Sequence, residues 1–169
     1  MNITVLCGSP RNNSNSMAYS EAFKAGAESA GHNVNIVNVG KMNIAGCKAC
    51  EGCHTNGSGV CVVKDDMSLV WDALEHAEMV VLAGPVHYWS FSGQLQSVIT
   101  RFYSKGKPAA MKYAMILSSG SPGVYDAMIS QYNSIMKYWG AQDMATKMYS
   151  GDEQPGAYIE EVKAFGASI

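Results

Sequence analysis

Charge is scarce in this chain of 169 residues: only 15% of them are Asp, Glu, Lys or Arg, and the formal net charge is -2. No run of Lys or Arg occurs, so the sequence predicts neither a nucleic-acid partner nor a membrane-binding surface. Apolar residues make up 47% of the chain. That balance argues against a disordered chain and predicts a compact globular protein.

Long apolar runs are also missing from the sequence. No stretch approaches the ~20 apolar residues that a membrane-spanning helix needs. The apolar segment at the N-terminus has the length of a strand, which is too short for the core of a signal peptide, and it lacks a basic leader. We therefore expect a cytoplasmic protein. The length predicts one domain over residues 1–169, with a cysteine-rich insertion loop at 45–63.

Strand-like apolar segments alternate with helix-like segments along the chain, five of each. The predicted strands are 1–7, 33–39, 79–83, 112–117 and 141–149, and the predicted helices begin near 17, 67, 94, 124 and 155. Such alternation predicts an α/β fold, with a parallel sheet covered by helices on both faces. Ligands of such sheets bind at the carboxyl ends of the strands, where the winding reverses.

The first loop, G-S-P-R-N-N-S-N-S over residues 8–16, connects a strand to a helix. Free N–H groups at the helix start, the helix dipole and the guanidinium of Arg11 together predict a phosphate cradle. The loop lacks both the Gly-Lys-Ser/Thr ending of a nucleotide-triphosphate loop and the Gly-x-Gly-x-x-Gly dinucleotide pattern, so a phosphate monoester fits best. The alternative is that Ser14, Asn15 and Ser16 only cap the helix.

Aromatic residues crowd the loop at 84–93, which follows the third predicted strand and includes Tyr88, Trp89 and Phe91. They offer stacking surfaces for a flat conjugated ring. The alternative is a surface hairpin that packs on its own aromatics. His87 in this loop could titrate or bond a substrate, but we assign it no catalytic role.

Four of the five cysteines lie within fifteen residues, in the pattern Cys47-x2-Cys50-x2-Cys53-x7-Cys61. Four thiolates suit a 4Fe–4S cluster or a tetrahedral zinc ion. The tight C-x2-C-x2-C run favours the cluster, because zinc sites usually pair two separated C-x2-4-C units. Empty or redox-active thiols remain open as a third interpretation. The fifth cysteine, Cys7, is predicted to be a buried apolar residue.

Three motifs together resemble a known family. The run G-S-P-R-x-x-S-N-S at 8–16 resembles the FMN phosphate loop of the flavodoxin-like NAD(P)H-dependent FMN reductases, and G-P-V-x-Y-W at 84–89 resembles their isoalloxazine loop. The cysteine pattern, followed by D-D-M at 65–67, is similar to the iron–sulfur flavoprotein branch. The resemblance covers residues 2–120. One departure is that Gln96 and Thr100 stand where the family usually carries Lys and Asp.

The resemblance implies a single flavodoxin-like FMN-binding domain, a doubly wound five-stranded parallel sheet of order 2-1-3-4-5. It implies that the phosphate and ribityl chain are held by Ser9, Arg11, Ser14, Asn15, Ser16 and Met17. It implies that the ring is lined by Pro85, Val86, Tyr88 and Trp89 and closed on its far side by Ser119, Gly120 and Ser121. The implied metal ligands are Cys47, Cys50, Cys53 and Cys61.

The function expected from these features is an FMN-dependent oxidoreductase in which FMN carries the chemistry and no protein side chain is catalytic. The donor is NAD(P)H or a redox protein such as ferredoxin, and the acceptor is a small molecule or a protein. The alternatives are a non-enzymatic flavin and iron–sulfur electron carrier, or a zinc-binding interaction module. The family commonly forms homodimers or homotetramers, and we expect the same here.

Overall fold

Five parallel strands form the centre of the molecule, for which a computed structural model describes residues 1–55, 57–151 and 157–169. The strands are β1 (Asn2–Cys7), β2 (Asn33–Val37), β3 (Met79–His87), β5 (Lys112–Ser119) and β6 (Gln142–Ser150), in the order β2-β1-β3-β5-β6. A two-residue strand, β4 (Ser90–Phe91), pairs antiparallel with the end of β3. Counted among parallel strands alone, the order is the predicted 2-1-3-4-5.

The described residues form six α-helices: α1 (Asn15–Ser29), α2 (Gly52–Thr55), α3 (Met67–Leu74), α4 (Gly93–Arg101), α5 (Asp126–Trp139) and α6 (Ile159–Ala167). All of them except α2 pack on the sheet. One apolar core joins the sheet to α1 and α6, and a second core joins its opposite face to α3, α4 and α5. The predicted flavodoxin-like fold is thereby confirmed. Within the described ranges, no helix is long and apolar enough to cross a membrane.

The inner segments of the central strands are mostly apolar, because both faces of the sheet are buried. In β3, Met79 and Val81 contact the core under α1 and α6, whereas Val80 and Leu82 contact the opposite core. All four side chains are at most 5% exposed. The edge strand β2 alternates exposed and buried residues over Asn33, Val34 and Asn35, as the sequence predicts, whereas Ile36 and Val37 are both partly buried.

The element boundaries differ from the predictions where local contacts decide them. Helix α1 begins two residues before the predicted start, because the hydroxyl of Ser14 accepts a hydrogen bond from the backbone N–H of Met17 at 3.1 Å and caps it. Strand β3 continues to His87 because it forms a hairpin with β4. The short helix α2 was not predicted. The predicted start of the last helix, residue 155, lies outside the described residues, and α6 begins at Ile159.

Helices α1 and α6 approach each other closely at two glycines. A Cβ atom on Gly26 would lie 1.9 Å from the carbonyl oxygen of Lys163, and one on Gly166 would lie 2.2 Å from that of Phe23. These contacts are with backbone atoms, which cannot rotate away as a side chain can. Only glycine at both positions allows the two helices to pack at this distance.

We expect Gly26→Ala to destabilise the protein by about 2 kcal/mol or more, because the new methyl group overpacks the interface between α1 and α6. This reverses the usual helix preference for Ala over Gly. Gly93→Ala is the matched control, since a Cβ on this exposed helical glycine has no neighbour within 4 Å. Urea unfolding should leave the control within about 0.5 kcal/mol of wild type. Equal stability of the two variants would contradict the packing argument.

Candidate functional site

A cavity of about 430 Å³ opens at the carboxyl ends of β1, β3 and β5. Nine of the thirteen predicted cofactor contacts line it: Ser9, Arg11, Ser14, Asn15, Ser16, Pro85, Val86, Ser119 and Gly120. The other four, which are Met17, Tyr88, Trp89 and Ser121, lie outside this lining. The structure adds five lining residues that sequence reasoning did not select: Pro10, Asn13, His87, Ser118 and Gly151. The order of the strands therefore brings all three predicted loops to one cavity.

The loop at 8–16 forms one wall of the cavity and carries its hydroxyl groups. Ser14 caps α1, so the capping interpretation holds for this residue. Its hydroxyl hydrogen is not used by the cap, because the oxygen acts there as an acceptor. The hydroxyl of Ser16 lies 2.9 Å from that of Ser118, which joins the loop to the end of β5 in the buried floor. The exposed guanidinium of Arg11 faces a lining that includes no Asp or Glu among the described residues.

Ser92, which sequence analysis did not select, ties this loop to α4. Its hydroxyl donates to the carbonyl of Gly8 at 2.6 Å and accepts from the N–H of Leu95 at 3.3 Å. A Cβ on Gly8 would lie only 2.8 Å from the Ser92 hydroxyl and 2.7 Å from the Cβ of Leu95. The loop can therefore approach α4 this closely only with glycine at position 8. The sequence offered only a serine directly before a predicted helix, which indicates a cap and not the contact with Gly8.

The aromatic loop is a tight hairpin between β3 and β4. Its two turn residues, Tyr88 and Trp89, have φ values of 52° and 62°. Asn-Gly or Gly-Gly usually occupies such a turn, and two bulky residues there store backbone strain. Their rings contact each other edge to face at 5.5 Å, and Tyr88 is 92% exposed. The tip therefore has the features of the alternative that the sequence left open, which is a surface hairpin whose aromatic residues pack on each other.

The loop after β5 forms the remaining wall. The hydroxyl of Ser119 donates to the carbonyl of Ser121 at 2.6 Å and lies 2.7 Å from the hydroxyl of Tyr125. Tyr125 in turn donates to the carbonyl of Tyr149 at 2.9 Å. Ser121 therefore orients Ser119 through its backbone, although it does not line the cavity itself.

The four cysteines of the segment 45–63 line a second, much smaller cavity of about 10 Å³, together with Arg101. In the part of the chain that the structure describes, no three His, Cys, Asp or Glu side chains converge on one ion position. The backbone N–H of Cys47 donates to the hydroxyl of Thr100 at 3.2 Å, which anchors the segment on α4. The sequence pattern thus brings the thiols to one place without forming a closed metal site.

Several residues of the cysteine segment adopt the left-handed backbone conformation, with positive φ. Gly57 and Gly59 adopt it at little cost, with φ values of 67° and 66°. Ala49 and Glu51 also adopt it, with φ values of 51° and 57°, and both flank Cys50. Non-glycine residues in this region mark strain that the surrounding structure maintains. Nothing in the sequence pattern signalled these two positions.

A buried ion pair holds the two ends of the cysteine segment close together. Asp65 and Arg101 are 4% and 2% exposed at their side chains, and their closest oxygen and nitrogen atoms lie 2.6 Å apart. The carboxylate of Asp65 also accepts the N–H groups of Ala45, at 3.0 Å, and of Met67, at 3.1 Å. Burial acts to raise the pKa of Asp65, but the hydrogen bonds to its carboxylate, that of Arg101 first, outweigh burial and hold the pKa below its usual value.

Residues 1–155 match the family model described as NADPH-dependent FMN reductase. The chain belongs to this family. Among curated relatives of this FMN reductase family member is an iron-sulfur flavoprotein of Archaeoglobus fulgidus, 28% identical over 80% of this chain and 62% of its own length. Another is an iron-sulfur flavoprotein of Methanosarcina thermophila, 30% identical over 60% of this chain and 52% of its own length. The chain therefore spans between half and two thirds of these relatives.

Solved structures share the fold of this FMN reductase family member. The NAD(P)H:quinone oxidoreductase from Methanothermobacter marburgensis is 14% identical, with a TM-score of 0.71 over 99% of this chain and 96% of that chain. An archaeal flavodoxin is 19% identical, with a TM-score of 0.63 over 100% of this chain and 96% of that chain. These similarities support the flavodoxin-like architecture. The family model and the curated relatives confirm the predicted family resemblance.

We expect Asp65→Asn to lower the free energy of unfolding by about 3–5 kcal/mol, because it leaves the Arg101 guanidinium buried without its counter-charge. Asp72→Asn, an exposed neutralisation on α3, is the matched control and should change stability by less than about 0.5 kcal/mol. Since the folded pKa of Asp65 is lowered, its contribution exists above the unfolded pKa of about 3.9 and is lost as pH falls through the folded value. Urea unfolding is measured from about pH 7 down to about pH 3, a range that crosses the unfolded pKa. Over this range the variant should lose less of its free energy of unfolding than wild type. Parallel curves for the variant and wild type would refute this assignment.

Proposed function

We propose that the chain binds FMN in the 430 Å³ cavity and acts as an FMN-dependent oxidoreductase that takes electrons from NAD(P)H. The observation that carries this proposal is the convergence of three loops, each after a different parallel strand, on one cavity whose first wall is a hydroxyl-rich helix start. Residues 1–169 are proposed to form one FMN-binding domain, with residues 45–63 as a cysteine-rich insertion.

The end of the cavity at α1 fits a phosphate monoester. Backbone N–H groups of the helix start, the hydroxyls of Ser9, Ser14 and Ser16 and the amide of Asn15 surround this end. Arg11 supplies the positive charge, and the described lining contains no carboxylate that would repel the phosphate. We also assign Met17 to the ribityl and phosphate contacts, through the turn of α1 that it shares with Ser14.

The opposite end fits a flat ring. Pro85 and Val86 form one wall at the end of β3, and Ser119 and Gly120 form the other at the end of β5. Tyr88 and Trp89 at the hairpin tip, and Ser121 behind Ser119, complete the proposed set. Bound FMN would supply the hydride and one-electron chemistry. The protein residues bind its phosphate, orient its ring and leave one side of the cavity open to a donor or acceptor.

The cysteine segment is proposed to hold a 4Fe–4S cluster through Cys47, Cys50, Cys53 and Cys61. Support comes from the four thiolate donors, from their shared cavity and from the name that the curated relatives carry. The present cavity is too small for a cluster, so binding requires the segment to open around Cys50, where the backbone is strained at both neighbours. Zinc binding by the same thiolates is the competing proposal.

The acceptor is proposed to be a small molecule such as a quinone, by analogy with the NAD(P)H:quinone oxidoreductase of M. marburgensis, which shares the fold. The exposed hairpin tip of Tyr88 and Trp89 favours a homodimer or homotetramer, because large exposed aromatics commonly mark contact surfaces. A redox protein such as ferredoxin is the alternative partner for an electron carrier. We propose the cytoplasm as the location.

The FMN proposal is tested by Arg11→Gln, which should weaken FMN binding by about tenfold, the loss expected for one exposed charge-assisted hydrogen bond. Binding of riboflavin, which has no phosphate, should stay unchanged. The matched control is Lys163→Gln, which removes an exposed cation from α6, away from the cavity. Affinities are measured by flavin fluorescence on the flavin-free protein. Equal losses for FMN and riboflavin would reject the phosphate assignment.

The redox proposal is tested on protein purified without oxygen. We expect bound FMN to be bleached rapidly by NADPH or NADH in stopped-flow absorbance, and we expect about four iron and four sulfide per chain. A colourless protein that takes up no FMN would refute the central proposal. Iron and sulfide near zero, with zinc present, would support the zinc alternative. Flavin reduction by reduced ferredoxin but not by NAD(P)H would support the electron carrier.

A further inference from the structure

A groove of about 820 Å³ lies between the end of α4 and the end of α5. Its lining comes from these two helix ends, from residues 102–106 after α4, and from His54 and Gly59 of the cysteine segment. Among the described residues, none lines both this groove and the 430 Å³ cavity. The groove is therefore separate from the proposed flavin site, and its volume of about 820 Å³ is that of a small-molecule site.

Four Phe, Tyr and Trp rings line the groove. Phe102 and Trp139 contact each other edge to face at 5.8 Å and border the core under α4 and α5. Tyr103 after α4 and Tyr138 on α5 are 52% and 88% exposed, so much of each ring remains uncovered. Uncovered rings on two different elements of one groove favour a flat apolar ligand.

The hydroxyl groups of the lining are largely used within the protein. Those of Thr100, Ser104 and Ser134 each donate to a backbone carbonyl three or four residues earlier, at 2.8, 3.1 and 2.8 Å. The hydroxyl of Tyr103 donates to the carboxylate of Glu51 at 3.0 Å. These four groups have no hydrogen left to donate, which argues against a sugar-like ligand.

The formal charge in the lining is positive. Lys105 is the only Asp, Glu, Lys or Arg side chain among the described lining residues. It is exposed, and its ammonium lies over the ring of Trp71, 5.1 Å from the centroid. Such a contact leaves the N–H donors of the ammonium available to an anion. An anionic group beside Lys105 meets no carboxylate in this lining.

We propose that the groove is a second ligand site, which binds a flat aromatic molecule that carries an anionic group such as a carboxylate or sulfonate. The aromatic part contacts Tyr103 and Tyr138, and the anion pairs with Lys105. Because His54 and Gly59 belong to the same lining, the ligand also contacts the cysteine segment. This site needs neither FMN nor a metal.

The test titrates the full chain as purified with two probes that share one aromatic skeleton. Anilinonaphthalene sulfonate carries an anion, and phenylnaphthylamine is its uncharged analogue. Isothermal titration calorimetry should show one sulfonate probe bound per chain, more tightly than the uncharged probe. Absence of binding by either probe would overturn the proposal.

Lys105→Gln should weaken binding of the sulfonate probe about fivefold, the upper range for one exposed ion pair, and leave the uncharged probe unaffected. Lys163→Gln is the matched control, because it removes an exposed cation from α6, on the opposite face of the sheet. The control should stay within about twofold of wild type, since distant exposed charges are screened. Equal losses for the two probes would overturn the assignment of an anionic ligand.

Tyr138→Ala should weaken binding of both probes about fivefold, because it removes an uncovered ring from the groove. Leu69→Ala is the matched control, since this apolar side chain is 55% exposed on α3 and lies outside the lining. Both residues are exposed, and thermal unfolding of each variant checks that it folds. Unchanged affinities in both Tyr138→Ala and Lys105→Gln would overturn the proposal.

Two further results would place the probe elsewhere or assign the groove to another occupant. Loss of sulfonate binding in Arg11→Gln would locate the probe in the 430 Å³ cavity and overturn the proposal. Sulfonate affinity that falls with rising protein concentration, as dimers form in analytical ultracentrifugation, would overturn it in favour of a second copy that covers the groove. Failure of the chain to bind FMN would refute the function proposed above and leave these titrations unaffected.

Discussion

The close contact between Gly8 and Ser92 sets the geometry of the cavity. Ser92 donates to the Gly8 carbonyl at 2.6 Å and caps α4 with the same hydroxyl. Water cannot replace this hydrogen bond, because Ser92 is fully buried. Without the bond, both the hydroxyl and the carbonyl would lack a partner. The turn from β1 into α1 and the start of α4 are thereby held in contact.

The hairpin of β3 and β4 depends on the same arrangement. Strand β4 is followed directly by Ser92, whose hydrogen bonds fix the end of the hairpin. The position of the strained turn at Tyr88 and Trp89 depends on this fixed end. Two bulky residues with positive φ persist only where the flanking structure over-determines them. The strained turn presents two aromatic rings to solvent, next to His87 in the lining of the cavity.

The cysteine segment has an independent support. Its two ends meet at Asp65, which accepts from Ala45 on one side and Met67 on the other while it pairs with Arg101. A buried pair of this kind contributes little net stability, but breaking it is costly. It fixes where the segment leaves and rejoins the fold, while α2 and the strained residues around Cys50 decide how the thiols are arranged.

The sequence by itself determined the alternation of strands and helices, and with it the layers, because continuous apolar runs such as 79–83 are local patterns. The loop motifs carried the family resemblance, and that resemblance implied the strand order. The same resemblance implied nine residues that line the cavity, and the carboxyl ends of parallel strands, which share one edge of the sheet, bring their loops together. Only the tertiary structure decided the roles of Ser92, Ser118 and Arg101, whose partners lie 36 to 102 positions away in the chain. Local patterns carry no information on such pairs, because burial and the approach of distant backbone segments create them.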